Sequence, residues 1–286
     1  MQIRSLGYRT DLIFSRFQGM IVDRGDCLVI RTPSNPGWYW GNYLLFRDPP
    51  GDGALREWTQ RFHAEIASHQ PAPHMAFGWD SPEGEPGVLE PFLAEGFILN
   101  GNVVLTADAV SPPPHPNAEV RIRSLATDAE WMQALENQVA CHAAEFPLPA
   151  YRAFKARQME DYRRMAEAGL GAWLGAYLDG RLVADLGVFA DGPVARFQAV
   201  ETHPDFRRRG ICGTLVWHGA RHARAVLGAE RLVMLADEHY HAGRIYESLG
   251  FRRTERQLGL ELRPAREPAG GSRPRKTRLK TAAESV

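Results

Sequence analysis

The sequence has little cysteine, no net charge and no long apolar run. Each absence excludes a class. Cys27, Cys141 and Cys212 lie far apart, are odd in number and form no CxxC pair. They support neither a disulfide framework nor a zinc site, so no metal is expected and a reduced, cytoplasmic setting is the default. Lys plus Arg is 34 and Asp plus Glu is 34 over 286 residues. A neutral chain lacks the basic excess of a dedicated nucleic-acid binder, and none is expected as a partner. No apolar run approaches the roughly 18 residues of a membrane span, so no membrane partner is expected either. Arg4, Arg9, Asp11 and Arg16 interrupt the start of the chain, which therefore lacks the apolar region of a secretory signal.

What is present is a globular composition, 44% hydrophobic and 24% charged. Ser111-Pro112-Pro113-Pro114-His115-Pro116-Asn117 places four prolines in seven residues, which neither a helix nor an interior strand tolerates. This linker, 111–117, predicts a unit at 1–110, a second at 118–263, and a tail from 264 to 286. The tail carries Arg266, Arg273, Arg275, Lys276, Arg278 and Lys280 with little to bury, and reads as disordered and basic.

Before the linker, 27–31 and 39–46 read as strands, 54–68 as a helix, 74–79 as a strand, 90–95 as a short helix and 97–105 as a strand. After it, 120–125 reads as a strand. Asp128 is placed to cap a helix over 129–143, and 149–168 is a second helix. Asp179-Gly180 predicts a hairpin between strands at 172–178 and 182–189. Then come a strand at 194–202, a helix at 213–226, a strand at 232–236, a helix at 242–249 and a strand near 257–262. The fold class is α/β (α+β): a mixed sheet flanked by helices.

Chemistry concentrates in one stretch. A strand ending at Thr202 is stopped by His203-Pro204. The basic loop Arg207-Arg208-Arg209-Gly210-Ile211-Cys212 follows, and a helix opens at Gly213-Thr214. Backbone N–H groups at a helix start, the helix dipole and three guanidinium groups together suit a pyrophosphate. Neither GxGxxG nor GxxxxGK[ST] occurs.

This loop resembles the [QR]-x-x-G-x-[GA] signature of the GNAT superfamily of acyl-CoA-dependent N-acyltransferases, with Cys212 in the last position. His239-Tyr240-His241-Ala242-Gly243-Arg244-Ile245-Tyr246-Glu247-Ser248-Leu249-Gly250-Phe251 resembles its N-x-x-A-x-x-L-Y-x-x-x-G-F pattern, with His239 for Asn and Ile245 for Leu. The resemblance covers roughly 118–263. It implies a mostly antiparallel GNAT-like sheet, acetyl-CoA as co-substrate and a small-molecule or peptide amine as acceptor. It places the cofactor against Val200, Thr202, Arg207, Arg208, Arg209, Gly210, Ile211, Cys212, Gly213, Thr214, His239 and Tyr246. Tyr246 would protonate the departing thiolate, and backbone amides over 200–202 would stabilise the oxyanion. The amine must lose a proton before it attacks. Glu201 and His203 are the nearest candidate bases, with Glu201 preferred. The alternative is a CoA-binding regulatory module without catalysis.

The first unit echoes the second. Glu90-Pro91-Phe92-Leu93-Ala94-Glu95-Gly96-Phe97 resembles 244–251, which predicts two tandem copies. Yet 46–53 has two prolines and two aspartates in place of the basic loop, and Phe92 stands where the tyrosine belongs. The first copy is expected not to bind acetyl-CoA productively.

Overall fold

The computed structural model describes residues 1–142, 147–238 and 242–264. The expected disordered tail, apart from Pro264, lies outside the described residues. The first part of the chain forms α1 (Leu6–Gln18), β1 (Met20–Asp23), β2 (Cys27–Arg31), β3 (Tyr43–Phe46), α2 (Ala54–Phe62), β4 (Met75–Trp79), α3 (Glu90–Ala94) and β5 (Ile98–Ala107). After the proline segment come β6 (Arg121–Ser124), α4 (Asp128–Ala140), α5 (Leu148–Glu167), β7 (Gly171–Leu178), β8 (Arg181–Asp191) and β9 (Val194–Thr202). They are followed by α6 (Ile211–Ala225), β10 (Arg231–Asp237), α7 (Ala242–Ser248) and β11 (Arg252–Leu262).

Among the described residues all eleven strands join one sheet, in the order β1-β2-β3-β4-β11-β5-β10-β9-β8-β7-β6. The mixed, mostly antiparallel character is as expected: only β3–β4 and β9–β10 run parallel. The order also repeats. Each half runs an antiparallel series into one parallel pair and then yields its last strand to the other half. β11 lies between β4 and β5, and β5 lies between β11 and β10.

The FLAEGF echo has a backbone counterpart. Gly96 and Gly250 both adopt left-handed φ, at 86° and 103°. Phe97 N donates to Phe92 O at 3.0 Å, and Phe251 N to Tyr246 O at 3.2 Å. Each helix therefore ends in the same glycine-dependent turn, which tucks an aromatic residue back under the helix. The Asp179-Gly180 hairpin also forms, with both residues at positive φ.

Helices cover both faces. On one, α6 sets Leu215, Val216 and Ala220 against Leu186, Phe197 and Met234, while α2 stacks Trp58 on Phe46 at 3.9 Å. On the other, α1, α4 and α5 enclose Phe14, Trp131, Tyr162, Trp173 and Phe189. Each such side chain, when fully buried, contributes about 1.5–3 kcal/mol.

Three local readings change. Only Tyr43–Phe46 of the expected 39–46 strand is strand. Tyr39–Gly41 is a 3₁₀ turn, tied by the Asn42 amide, which donates to Asn35 O and Trp38 O. Thr127, not Asp128, caps α4: its hydroxyl accepts from Glu130 N, and the Glu130 carboxylate accepts from Thr127 N in return. The sequence reading assigned no element to 6–23, where α1 and β1 form. The start of α1 is held by distant carboxylates: Glu255 accepts from Leu6 N at 2.7 Å, and Asp80 from Ser5 N at 2.7 Å.

Candidate functional site

The site grows from a defect in β9. Its pairing with β8 skips between Asp185 and Gly187, and Ala199 sits at φ 47°. A non-glycine residue in this region is strained, and a bulge re-aims the side chains around it. Gln198 and Ala199 both turn toward α5, Val200 packs with the α6 core, and Glu201 returns to the α4–α5 side. Pairing with β10 stops at Arg196 opposite Val233, while both strands continue. Beyond that point β9 and β10 part, and the wedge holds Val200, Glu201 and Thr202.

At the end of β9 lies a groove of about 420 Å³, lined by Thr202, the run Arg207 to Gly213, and Ile245 and Ser248 of α7. Its floor is the start of α6. Gly210 is the N-cap at φ 75°, and no side chain caps the first turn. Arg207 Nε donates to Thr202 O at 3.1 Å, while its Nη2 is buried without a partner. An uncapped helix start beside an orphaned guanidinium nitrogen fits an anionic group such as a pyrophosphate. Arg209 is engaged instead with Glu119 at 3.0 Å, and Arg208 is exposed at φ 58°. Thr214 is buried, its hydroxyl donating to Gly210 O and accepting from Asn117 N. Burial pushes the Cys212 thiol up to about 12, so it is no nucleophile at neutral pH.

The proline segment forms the facing wall. Pro113, Pro114, His115 and Pro116 line the groove. The approach to Gly210 is taken by the carbonyl of His115, 2.2 Å from where a Cβ would stand. Asn117 fastens the segment by donating to Arg209 O at 2.9 Å.

Glu201 sits among buried titratable groups. Removal from water pushes its carboxyl up to about 7, against the pull of Lys155, a hydrogen bond with Cys141, and Arg207. Lys155 is buried on α5 and its ammonium is pushed down by burial; it donates to Gln158 Oε1 at 2.9 Å. Asp185, opposite Glu201 on β8, is also raised to about 7 by burial, although Asn137, Gln138 and Trp173 all donate to it. Lys155 and Asp185 were not singled out from the sequence, and Cys141 only as an unpaired thiol. Their signal was available only as polar residues on α5, on β8 and just past the end of α4.

His203 has a different setting. Its ring caps the short turn at 204–206 by accepting from Asp205 N, and Arg181 lies against its Nε2 at 3.4 Å. Burial, then Arg181, pushes its pKa down. Tyr246 is buried in the α6–α7 core against Phe251, while its neighbour Ile245 faces the groove. His239 lies outside the described residues.

The corresponding loop of the first half, 46–53, is arranged differently. Gly53 caps α2 at φ 80°, just as Gly210 caps α6, but Pro50 O accepts from Val88 N and lies against Gly87. That contact covers Pro50 alone, while Arg47, Asp48 and Gly51 to Gly53 are exposed. Phe92 is locked among Trp58, Phe77 and Phe97. Among the described residues, no group of three or more His, Cys, Asp or Glu is placed to hold a metal, and no helix is long and apolar enough to cross a membrane.

Comparison with known proteins agrees with this geometry. A GCN5-related N-acetyltransferase from Kribbella flavida superposes with a TM-score of 0.62 at 16% identity, over 93% of this chain and 97% of that one. A conserved protein of unknown function from Staphylococcus epidermidis gives 0.65 at 13% identity, over 87% and 96%. A GCN5-related N-acetyltransferase from Sphaerobacter thermophilus gives 0.53 at 16%, over 84% and 82%. At these identities the likeness is one of fold. No curated protein matches the sequence. The family model for the acetyltransferase (GNAT) family matches residues 131–251, which span the bulged strand, the basic loop and the tyrosine helix. The match to the acetyltransferase (GNAT) family is carried by residues 131–251, less than half of the chain.

Proposed function

We propose that the chain is an N-acetyltransferase that moves an acetyl group from acetyl-CoA to a primary amine by direct attack, and that 118–263 carries the chemistry while 1–110 does not. The observation that carries this reading is Glu201: a carboxyl held at about 7 where β9 leaves β10, next to an uncapped helix start. Arg207 and the first turn of α6 would hold the pyrophosphate. Bound there, acetyl-CoA would supply a thioester carbonyl at the wedge. Glu201 accepts the proton that the ammonium must lose, directly or through water. As the nitrogen–carbon bond forms, amides of β9 stabilise the oxyanion. As the carbon–sulfur bond breaks, Tyr246 gives its proton to the thiolate sulfur and regains one, directly or through water, from the attacking nitrogen, which sheds its second proton as it becomes the amide. Glu201 suits the task because a base with a pKa near the working pH is both ionised and strong enough to act. His203 suits it less, since its ring already accepts a backbone hydrogen bond.

Calorimetry with acetyl-CoA is expected to show one site per chain; no heat of binding for acetyl-CoA or CoA would overturn the reading. Tyr246→Phe is expected to lower kcat by about 10² or more with little change in acetyl-CoA affinity. An unchanged kcat would remove the proton-donor role. Binding without turnover on a broad amine panel would favour a regulatory CoA-binding module.

A further inference from the structure

On the α1–α5 face of the sheet, away from the anion groove, lies a second cavity of about 260 Å³. Its floor comes from four successive strands: Gln257 and Gly259 on β11, Asn100 and Asn102 on β5, Leu235 on β10, Arg196 and Gln198 on β9. Register sets Gln257 opposite Asn102 and Gly259 opposite Asn100. Only the exchange of β5 and β11 between the halves brings these residues together. The walls are α1 and the turn before β3, chiefly Phe14, Trp38 and Trp40. Gly259 is required here, because a Cβ would stand 2.3 Å from the Trp40 ring.

The charges in this cavity are already matched. Arg196 Nη1 lies 3.0 Å from Asp11 Oδ1 and donates to Thr10 Oγ1, and its Nε donates to Phe197 O. The other Asp11 oxygen accepts from Gln257 Nε2 at 2.7 Å. A carboxylate or phosphate would have to displace Asp11 from Arg196, and a second ammonium would have to displace Arg196 from Asp11. The remaining features are carboxamides and indole faces. Asn100 Nδ2 is buried with no partner, a donor in want of an acceptor. A carboxamide both donates and accepts, as does a hydroxyl. Indole faces supply broad apolar contact for the C–H surface of a ring. At about 260 Å³ the cavity falls just below the ~300–1,000 Å³ of drug-sized sites, so the occupant is about one ring.

The cavity shares strand β9 with the reaction centre. Gln198, donating to Tyr162 of α5 at 2.9 Å, lies on the same face as Glu201 and precedes it across the bulge. The geometry points to an acceptor pocket, built by both halves, for a small hydroxyl-rich primary amine whose body is otherwise uncharged, of the amino-sugar class. This inference rests on the acetyltransferase reading. The first half would then supply acceptor recognition in place of cofactor binding.

The test uses the full chain, with calorimetry and tryptophan fluorescence for binding and thiol release for turnover. Glucosamine is the probe; glutamate and putrescine are the charged comparisons. Glucosamine is expected to bind at least tenfold more tightly than either and to accelerate CoA release. Asn100→Leu and, separately, Trp38→Ala should each weaken glucosamine at least tenfold and leave acetyl-CoA affinity unchanged. Glutamate or putrescine binding as tightly as glucosamine, or glucosamine binding indifferent to both variants, would overturn the pocket assignment. Acetyl-CoA binding would stand through either result. No acetyl-CoA binding, with glucosamine binding still lost in Asn100→Leu, would sink the acetyltransferase reading and uphold the pocket.

Discussion

Glu201→Gln will lower kcat/KM by about 10²–10⁴-fold, the usual contribution of a positioned general base. The carboxylate is the working form, so activity of the natural protein will rise as pH climbs through about 7 and level off above it. Below that the carboxyl holds its own proton and cannot take one from the ammonium. The glutamine variant will lose this inflection, because its side chain does not titrate. Acetyl-CoA affinity should stay close to that of the natural protein, since Glu201 does not itself line the anion groove. A pH–rate profile of both proteins with one amine checks the prediction. If the inflection persists in Glu201→Gln, another group titrates. His203 is the poorer alternative, being pushed below its ordinary value and committed to a turn.

The perturbation of Glu201 also marks where sequence reading reached its limit. The position was legible, because a strand stopped by His203-Pro204 and followed by a basic glycine loop locates the chemistry. The environment was not. Its shift comes first from burial, then from Lys155 and Cys141, which lie 46 and 60 residues earlier in the chain. Only folding α4 and α5 onto β9 brings them close.

The same distinction separates the elements read from those missed. The Asp179-Gly180 hairpin and the glycine turns at 96 and 250 are local, fixed by residues that tolerate positive φ. They could be read directly. Helix α1 is not local in this sense. Its first amides are satisfied by Glu255 and Asp80, and a Cβ at Gly7 would stand 2.1 Å from Gln257 of β11. Nothing within 6–18 announces those partners. The exchange of β5 and β11 was equally hidden. Each strand alternates in a way that suits either half, and the sequence carries no mark of which neighbour it will choose.

The proline segment reads differently once folded. From composition it is a spacer. In the structure it is a wall, fastened through Ser111 N to Leu249 O at 2.9 Å and through Asn117 to Arg209 and Thr214. Gly210→Val will therefore do more than strain one residue. At φ 75° a β-branched side chain costs on the order of 1–2 kcal/mol. Its Cβ would also stand 2.2 Å from the His115 carbonyl oxygen and 3.5 Å from Asn117 N. These are backbone atoms, with no flexible tip to swing away. The strap must lift, and the start of α6 loses the geometry that presents its amides. Acetyl-CoA affinity should fall at least tenfold, which is about 1.4 kcal/mol, alongside a lower Tm. Gly53→Val separates the two effects. Gly53 has nearly the same φ, 80°, and caps α2 as Gly210 caps α6, but no atom lies within 4 Å of its Cβ position. It should lower Tm through strain and leave acetyl-CoA affinity alone. If both variants weaken acetyl-CoA equally, the loss follows stability, and the strap has no part in shaping the cofactor groove.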